Sequence, residues 1–90
     1  MKILHLDRNH DSLINELKNS GYINVEGYKM KLAKVKSIIY KFDGIVIRSR
    51  FNIDSDFLKN GKKIKFVARV GSGSENIDVQ YLKKRGIKLI

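Results

Sequence analysis

The sequence contains no cysteine and no proline among its 90 residues. Without cysteine the chain has no disulfide framework, no thiolate zinc site and no cysteine nucleophile. Without proline, and with neither a serine-glycine linker nor an internal repeat, nothing marks a boundary between two domains. A chain this short buries only about two-thirds of the surface that its unfolded form exposes. We therefore expect at most one domain, with a small core.

Long apolar runs are also missing. No segment approaches the roughly 18 apolar residues that span a membrane, and the opening MKILHLDRNHD carries charges where a signal peptide has its apolar run. We expect no membrane partner and a cytoplasmic location. The content of 42% hydrophobic and 31% charged residues is typical of a folded globular protein.

Acidic residues are few, nine against 19 basic ones, which gives a formal net charge of +10. Such a charge on a small domain is a familiar mark of nucleic-acid binding. Most of it is lysine, however, with only five arginines, and proteins that bind phosphates and bases usually rely on arginine and stacked aromatic rings. A solvated lysine-rich surface is therefore favoured. The alternative is a free-standing basic module that binds nucleic acid or another polyanion.

The apolar residues alternate between strand and helix patterns. Strands are predicted at residues 2–6, 22–25, 45–47, 64–70 and 87–90. Four helices are predicted between them: one from about Asp11 to near Gly21, one carrying Leu32, Val35, Ile38, Ile39 and Phe42, one capped by Asp54 and ended by Asn60-Gly61, and one capped by Asp78 and stopped by Gly86. This order predicts an α/β fold, a mostly parallel sheet with helices on both faces. The β-branched run 45–47 should form a central strand.

Ligands of such sheets bind beyond the carboxyl ends of the strands. Asp7, Arg8 and Asn9 follow the first predicted strand, and Arg48, Ser49 and Arg50 follow the third. If the third strand stays extended, its two arginines point to opposite sides, and we favour Arg48 as the one facing the crevice. Its guanidinium suits a carboxylate or phosphate, and Ser49 adds a hydroxyl and a backbone N–H. The alternative is that both arginines are surface residues at a strand end.

A glycine-rich loop follows the fourth predicted strand. Gly71 and Gly73 let backbone N–H groups approach an anion, and the loop leads into a helix N-terminus. The pattern is a poor dinucleotide fingerprint, because Asn76 replaces the third glycine and the acidic residue expected about 20 positions later would lie beyond Ile90. On the pattern alone, a tight turn with a capping asparagine is favoured. His5 lies within the first predicted strand, where a partly buried core or edge residue is favoured. His10 stands at a helix start with no assignable carboxylate partner. No catalytic residue and no metal ligand is therefore predicted.

Taken together, residues 43–90 resemble the N-terminal part of the D-2-hydroxyacid dehydrogenases, and within that family most closely the D-3-phosphoglycerate dehydrogenases of serine biosynthesis. The resemblance rests on a strand ending in Arg48-Ser49, on the run RVGSG followed by NID, and on the run RGI after the last helix. It implies a flavodoxin-like substrate domain of about five strands. We expect that domain to be cut short, because the chain stops on Leu89-Ile90 inside a predicted strand.

The family oxidises 2-hydroxy acids with NAD. By this resemblance Arg48 and Ser49 would help to hold the carboxylate or phosphate of a 2-hydroxy or 2-oxo acid. The loop Gly71, Ser72 and Gly73 would offer N–H groups to the substrate carboxylate, with Ser72 also close to the nicotinamide of the cofactor.

Two departures leave the substrate open: Arg50 and Phe51 stand where many members have a small residue and threonine, and Glu75 stands for aspartate. The family's catalytic arginine, glutamate and histidine and its nucleotide-binding glycine motif have no counterpart here. We therefore expect residues 1–90 to be the N-terminal part of a substrate-binding domain without its nucleotide-binding domain. Alone it should neither bind NAD nor turn over, and a homodimer through an exposed sheet edge remains open.

Overall fold

The computed structural model describes residues 1–8, 11–70 and 76–90. Its elements in chain order are β1 (Lys2–His5), α1 (Asp11–Asn19), β2 (Ile23–Glu26), α2 (Leu32–Ile38) with a 3-10 turn at Ile39–Lys41, β3 (Gly44–Ile47), α3 (Ser55–Leu58), β4 (Phe66–Arg69), α4 (Val79–Arg85) and β5 (Lys88–Leu89). No helix in this part of the chain is long and apolar enough to cross a membrane.

The five strands form one sheet in the order β2-β1-β3-β4-β5, and every pair of neighbours is parallel. This is the flavodoxin-like order, so the predicted fold class and the central position of β3 are both confirmed. The chain steps one way from β1 to β2 and the other way from β2 onwards. Right-handed crossovers therefore place α1 on one face of the sheet and α2, α3 and α4 on the other.

The main core lies between the sheet and the three-helix face. Strand residues that point to this face, such as Leu4, Ile45 and Val67, are fully buried. They pack in one cluster with residues from all three helices: Val35, Phe57, Leu58 and Leu82. Side chains alternate along a strand, so the neighbouring residues of the same strands point to the face that carries α1.

In the part of the chain that the structure describes, that second face is covered over only part of its width. Leu17 of α1 and Tyr22 lie beside the buried Ile3, but across β3, β4 and β5 a groove of about 580 Å³ remains. We call it the open face; its apolar lining includes Val46, Phe66, Ala68, Val70 and Ile90. Ile90 is 65% exposed. Parallel sheets normally have both faces covered, so the open face is an incompletely buried part of this fold.

The helix ends follow the predicted capping residues. The Asp54 carboxylate accepts a hydrogen bond from Phe57 N at 3.0 Å, and the Asp78 carboxylate accepts one from Tyr81 N at 3.1 Å. Gly86 follows α4 with a φ of 71°, the left-handed conformation that glycine adopts without strain. All three predictions are confirmed.

Several predicted elements were wider than the observed ones, and two of them show why. The second helix does not reach Phe42: its last turn tightens into the 3-10 turn, and Phe42 is extended, although only 3% exposed. The fourth strand begins at Phe66 rather than Ile64, which is buried before the strand starts. In both places an apolar residue belongs to the core without belonging to the regular element, and apolar spacing cannot make that distinction.

Asp43 connects the amino ends of β1 and β3. Its carboxylate accepts a hydrogen bond from Lys2 N at 2.9 Å and lies 4.0 Å from the Lys63 ammonium. The Lys2 N–H holds the pKa of Asp43 below its ordinary value of 3.8; burial opposes this, and the Lys63 charge assists it. The ionised carboxylate therefore stabilises the folded chain above about pH 4, and this contribution is lost as the pH falls through the lowered pKa.

Replacing Asp43 with asparagine keeps an acceptor oxygen but removes the charge. We expect wild type to be more stable than Asp43→Asn at pH 6, and the difference to shrink as the pH falls to 3. Urea unfolding of both proteins at several pH values measures it. A difference that stays constant or grows on acidification would contradict the assigned role.

Candidate functional site

Polar groups converge where β1, β3 and β4 end. Asp7 follows β1, residues 48–51 follow β3, and the Asn76 side chain is hydrogen-bonded to Arg48 and Phe51. We call these residues the carboxyl edge. Because β1, β3 and β4 are adjacent and parallel, their carboxyl ends meet at one side of the sheet, which is where parallel α/β folds bind ligands.

Arg48 and Ser49 are both exposed at this edge. Among the described residues, neither the Arg48 guanidinium nor the Ser49 hydroxyl has a hydrogen-bond or ion-pair partner. The predicted use of the Ser49 backbone N–H is wrong, however, because that group donates to Asp7 Oδ2 at 3.1 Å. What the pair presents to solvent is therefore a guanidinium and a hydroxyl.

Arg50 has a different role from Arg48. The chain bends after Ile47, so the alternation of an extended strand does not apply to the two arginines. The Arg50 guanidinium turns inward and donates to the backbone oxygens of Leu6 at 3.0 Å, Gly27 at 2.7 Å and Met30. It thus connects the segments that follow β1 and β2. Of the two arginines, only Arg48 is available to a ligand.

The side chain of Asn76 joins β4 to the loop after β3. Its amide nitrogen donates to the oxygens of Arg48 at 3.2 Å and Phe51 at 2.9 Å, while its Oδ1 accepts a hydrogen bond from Arg69 Nε at 2.8 Å. Ile53 and Ile77 form a parallel bridge beside it. The alternative favoured from the sequence pattern, that Asn76 caps the helix, is therefore wrong, because Asp78 caps α4.

These contacts bear on whether NAD could be held here. In the dinucleotide fingerprint a glycine allows close packing, and the helix N-terminus receives the pyrophosphate. Here the corresponding position is Asn76, whose side chain is already hydrogen-bonded to Arg48, Phe51 and Arg69. The Asp78 carboxylate likewise accepts a hydrogen bond at the N-terminus of α4. The described residues do not fit a dinucleotide.

Several predicted residues fall outside the described part of the chain. Gly71, Ser72 and Gly73, predicted to bind the substrate carboxylate, and Ser72, predicted to lie near the nicotinamide, belong to residues 71–75, which the structure does not describe, as does His10. His5 is described: it is fully buried, and its Nε2 lies 2.8 Å from Asn24 Oδ1. This agrees with a core histidine.

Asp7 is the residue that sequence reasoning noted without giving it a role. Its Oδ2 accepts hydrogen bonds from the backbone N–H groups of Arg48, Ser49 and Arg50 at 2.6, 3.1 and 3.2 Å. The available signal was its position: an acidic residue directly after one strand, beside the end of the neighbouring strand. The lysines of residues 62–65 lie before β4, at the opposite end of the sheet.

Comparison with known proteins agrees with this architecture. A Pyrococcus horikoshii protein of known structure superposes with a TM-score of 0.89 at 26% identity, covering 98% of this chain and 26% of that one. NAD⁺-bound 3-phosphoglycerate dehydrogenase of Entamoeba histolytica superposes with a TM-score of 0.79 at 28% identity, covering 100% of this chain and 32% of that one.

Sequence comparison gives the same family. The chain is 35% identical over 74 residues to hydroxypyruvate reductase of Thermotoga maritima, covering 82% of this chain and 24% of that enzyme. It is 31% identical over 93 aligned positions to D-3-phosphoglycerate dehydrogenase of Methanocaldococcus jannaschii, covering 100% of this chain and 17% of that enzyme. The chain thus spans about a quarter or less of these curated relatives. The sequence profile of the catalytic domain of D-isomer specific 2-hydroxyacid dehydrogenases matches residues 3–90, and the chain belongs to that family.

Proposed function

We propose that this chain is the N-terminal part of the substrate-binding domain of an NAD-dependent 2-hydroxyacid dehydrogenase, and that its carboxyl edge binds the acid. Arg48 and Ser49 hold the carboxylate or phosphate, and the backbone of Gly71, Ser72 and Gly73 completes the binding loop. The observation that carries this proposal is an exposed guanidinium and hydroxyl, without partners among the described residues, at the ligand-binding side of a parallel sheet. A guanidinium binds either anion through paired N–H donors.

For the substrate we propose D-3-phosphoglycerate, which carries both a carboxylate and a phosphate. Several relatives are D-3-phosphoglycerate dehydrogenases, including one aligned with the whole chain. The hydroxypyruvate reductase of Thermotoga maritima supports an unphosphorylated acid instead. Comparing D-3-phosphoglycerate with hydroxypyruvate as ligands separates these possibilities, because only D-3-phosphoglycerate offers a phosphate to Arg48.

The open face supports the proposal that the domain is completed by other parts of a longer enzyme. No helix of the described residues covers three adjacent strands there, whereas parallel sheets are normally covered on both sides. The relatives are about four to six times longer than the aligned segment. In this proposal NAD and the residues that move the hydride and proton belong to those other parts, and residues 1–90 alone bind the acid without turning it over.

The test is a titration of the ¹⁵N-labelled chain with D-3-phosphoglycerate and, separately, with hydroxypyruvate. We expect weak binding, with a Kd on the order of millimolar, and chemical-shift changes at Arg48 and Ser49. Arg48→Gln should raise the Kd at least about tenfold, because it removes the charged fork. Lys62→Gln, which removes one positive charge at the opposite end of the sheet, should leave the Kd within about twofold, since a distant exposed charge is screened. An equal loss of affinity in Arg48→Gln and Lys62→Gln would contradict a binding site at Arg48.

A polyanion-binding module is the second candidate, favoured by the net charge of +10. Binding of this kind weakens steeply with salt, since counterions are released from the nucleic acid. A salt-dependent mobility shift with DNA or RNA at physiological ionic strength, together with no response to either acid, would favour this candidate over the first.

A further inference from the structure

Asp7 holds the backbone turn that presents Arg48 and Ser49. One carboxylate oxygen, Oδ2, accepts hydrogen bonds from three consecutive backbone N–H groups, those of Arg48, Ser49 and Arg50, at 2.6, 3.1 and 3.2 Å. Successive N–H groups that converge in this way form an anion-binding concavity. Here the anion is a side chain of the same chain, 41 residues away from Arg48 in sequence.

The opposite side of the same turn is also held. The backbone oxygens of Arg48 and Phe51 accept hydrogen bonds from the Asn76 side chain. Asp7 therefore binds backbone N–H groups of the turn, and Asn76 binds two of its backbone oxygens. The guanidinium of Arg50 returns to the oxygen of Leu6, the residue before Asp7. The backbone of the turn is therefore fixed from several directions without any ligand.

These bonds leave the side chains of Arg48 and Ser49 as the groups that can reach a ligand. We infer that Asp7 is a positioning residue: its carboxylate fixes the backbone from which the Arg48 guanidinium and the Ser49 hydroxyl reach the acid anion. The inference rests on the proposed function of the carboxyl edge. It adds Asp7 to the proposed site as a residue that does not itself contact the acid.

A carboxylate next to an anion site has two effects of opposite sign. Its charge repels the bound anion, but at a partly exposed position such repulsion is weakened by water and salt. Its three hydrogen bonds keep the binding groups in one arrangement, which reduces the conformational freedom lost on binding. If positioning is the larger effect, removing Asp7 weakens anion binding; if repulsion is the larger, its removal strengthens binding. The sign of the change decides between them.

The experiment uses the ¹⁵N-labelled chain and two probes, inorganic phosphate and D-3-phosphoglycerate. For Asp7→Ala we expect the Kd for both probes to rise at least about fivefold, and hydrogen exchange at the amides of residues 48–50 to accelerate. Asp7→Asn, which keeps an acceptor oxygen, should lie between Asp7→Ala and wild type. The control is Asp56→Asn, which removes the same charge from α3, where Asp56 pairs with Lys36. It should change neither the Kd nor the exchange of those amides.

Measuring the Kd where every variant is folded separates positioning from a general loss of stability, since a merely structural role would leave anion affinity unchanged under those conditions. Unchanged or tighter binding by Asp7→Ala would overturn the inference while leaving the proposed function intact. If Asp7→Ala does not fold, Asp7→Asn decides: weaker binding supports positioning, and equal or tighter binding overturns it. If wild type binds neither probe although its amides at residues 48–50 exchange slowly, the proposed function fails and this inference fails with it.

Discussion

Replacing Ile45 with alanine is expected to lower the free energy of unfolding by about 3 kcal/mol. Ile45 is fully buried at the centre of β3, within the cluster between the sheet and the three-helix face. Truncating a buried isoleucine removes its transfer free energy and leaves a cavity, which together cost about 2–5 kcal/mol. At roughly 0.05–0.15 kcal/mol per residue, a chain of this length has a total stability of about 5–13 kcal/mol. The substitution should therefore remove a large share of it.

The matched control is Ile23→Ala. Ile23 lies in the edge strand β2 and is 56% exposed, so the same atoms are removed from a position that leaves no closed cavity. We expect a loss of less than about 1 kcal/mol. Urea unfolding followed by circular dichroism measures both variants. Similar losses in the free energy of unfolding for Ile45→Ala and Ile23→Ala would contradict the assignment of the core to the three-helix face.

Replacing Arg50 with methionine is expected to cost about 2–3 kcal/mol of stability. Methionine keeps much of the apolar stem but removes the guanidinium, so the oxygens of Leu6, Gly27 and Met30 lose their common donor. Hydrogen bonds that involve a charged group contribute about 1.5–3 kcal/mol each, and water can replace part of what is lost at a half-exposed site. The effect should exceed that of an ordinary surface substitution.

Arg48→Met is the control for this change. It removes an identical guanidinium two residues away, from a side chain that is exposed and has no partner among the described residues. We expect its stability to stay within about 0.5 kcal/mol of wild type. Thermal and urea unfolding of the two variants measure the difference in stability. A larger loss of stability in Arg48→Met than in Arg50→Met would contradict the roles assigned to the two arginines.

Much of the fold could be predicted because its signals are local. The caps Asp54 and Asp78 each bond to a backbone N–H three residues away, and Gly86 occupies the left-handed position that favours glycine. The buried β-branched run of β3 marks a strand covered on both faces. Once five strands alternate with four helices, the handedness of crossovers restricts the topology to a few choices.

The candidate site could be predicted only in outline. The position after β3 marked Arg48 and Ser49 as candidate ligand-binding residues. The local sequence does not show which arginine faces a ligand, because the chain bends after Ile47 and the side chains no longer alternate as in a strand. The contacts that decide between them join distant segments: Arg50 donates to oxygens 44, 23 and 20 residues away. Such contacts depend on how the loops meet after the sheet has formed, and a single sequence does not contain that information in its spacing.

The position of the ligand response along the sheet tests the central claim, that the carboxyl edge binds the acid. In the titration of the wild-type chain with D-3-phosphoglycerate, we predict the largest amide shift changes at residues 48–50, with little change at residues 62–65 at the opposite end. Shift changes confined to the lysines at that end, with none at residues 48–50, would contradict the claim.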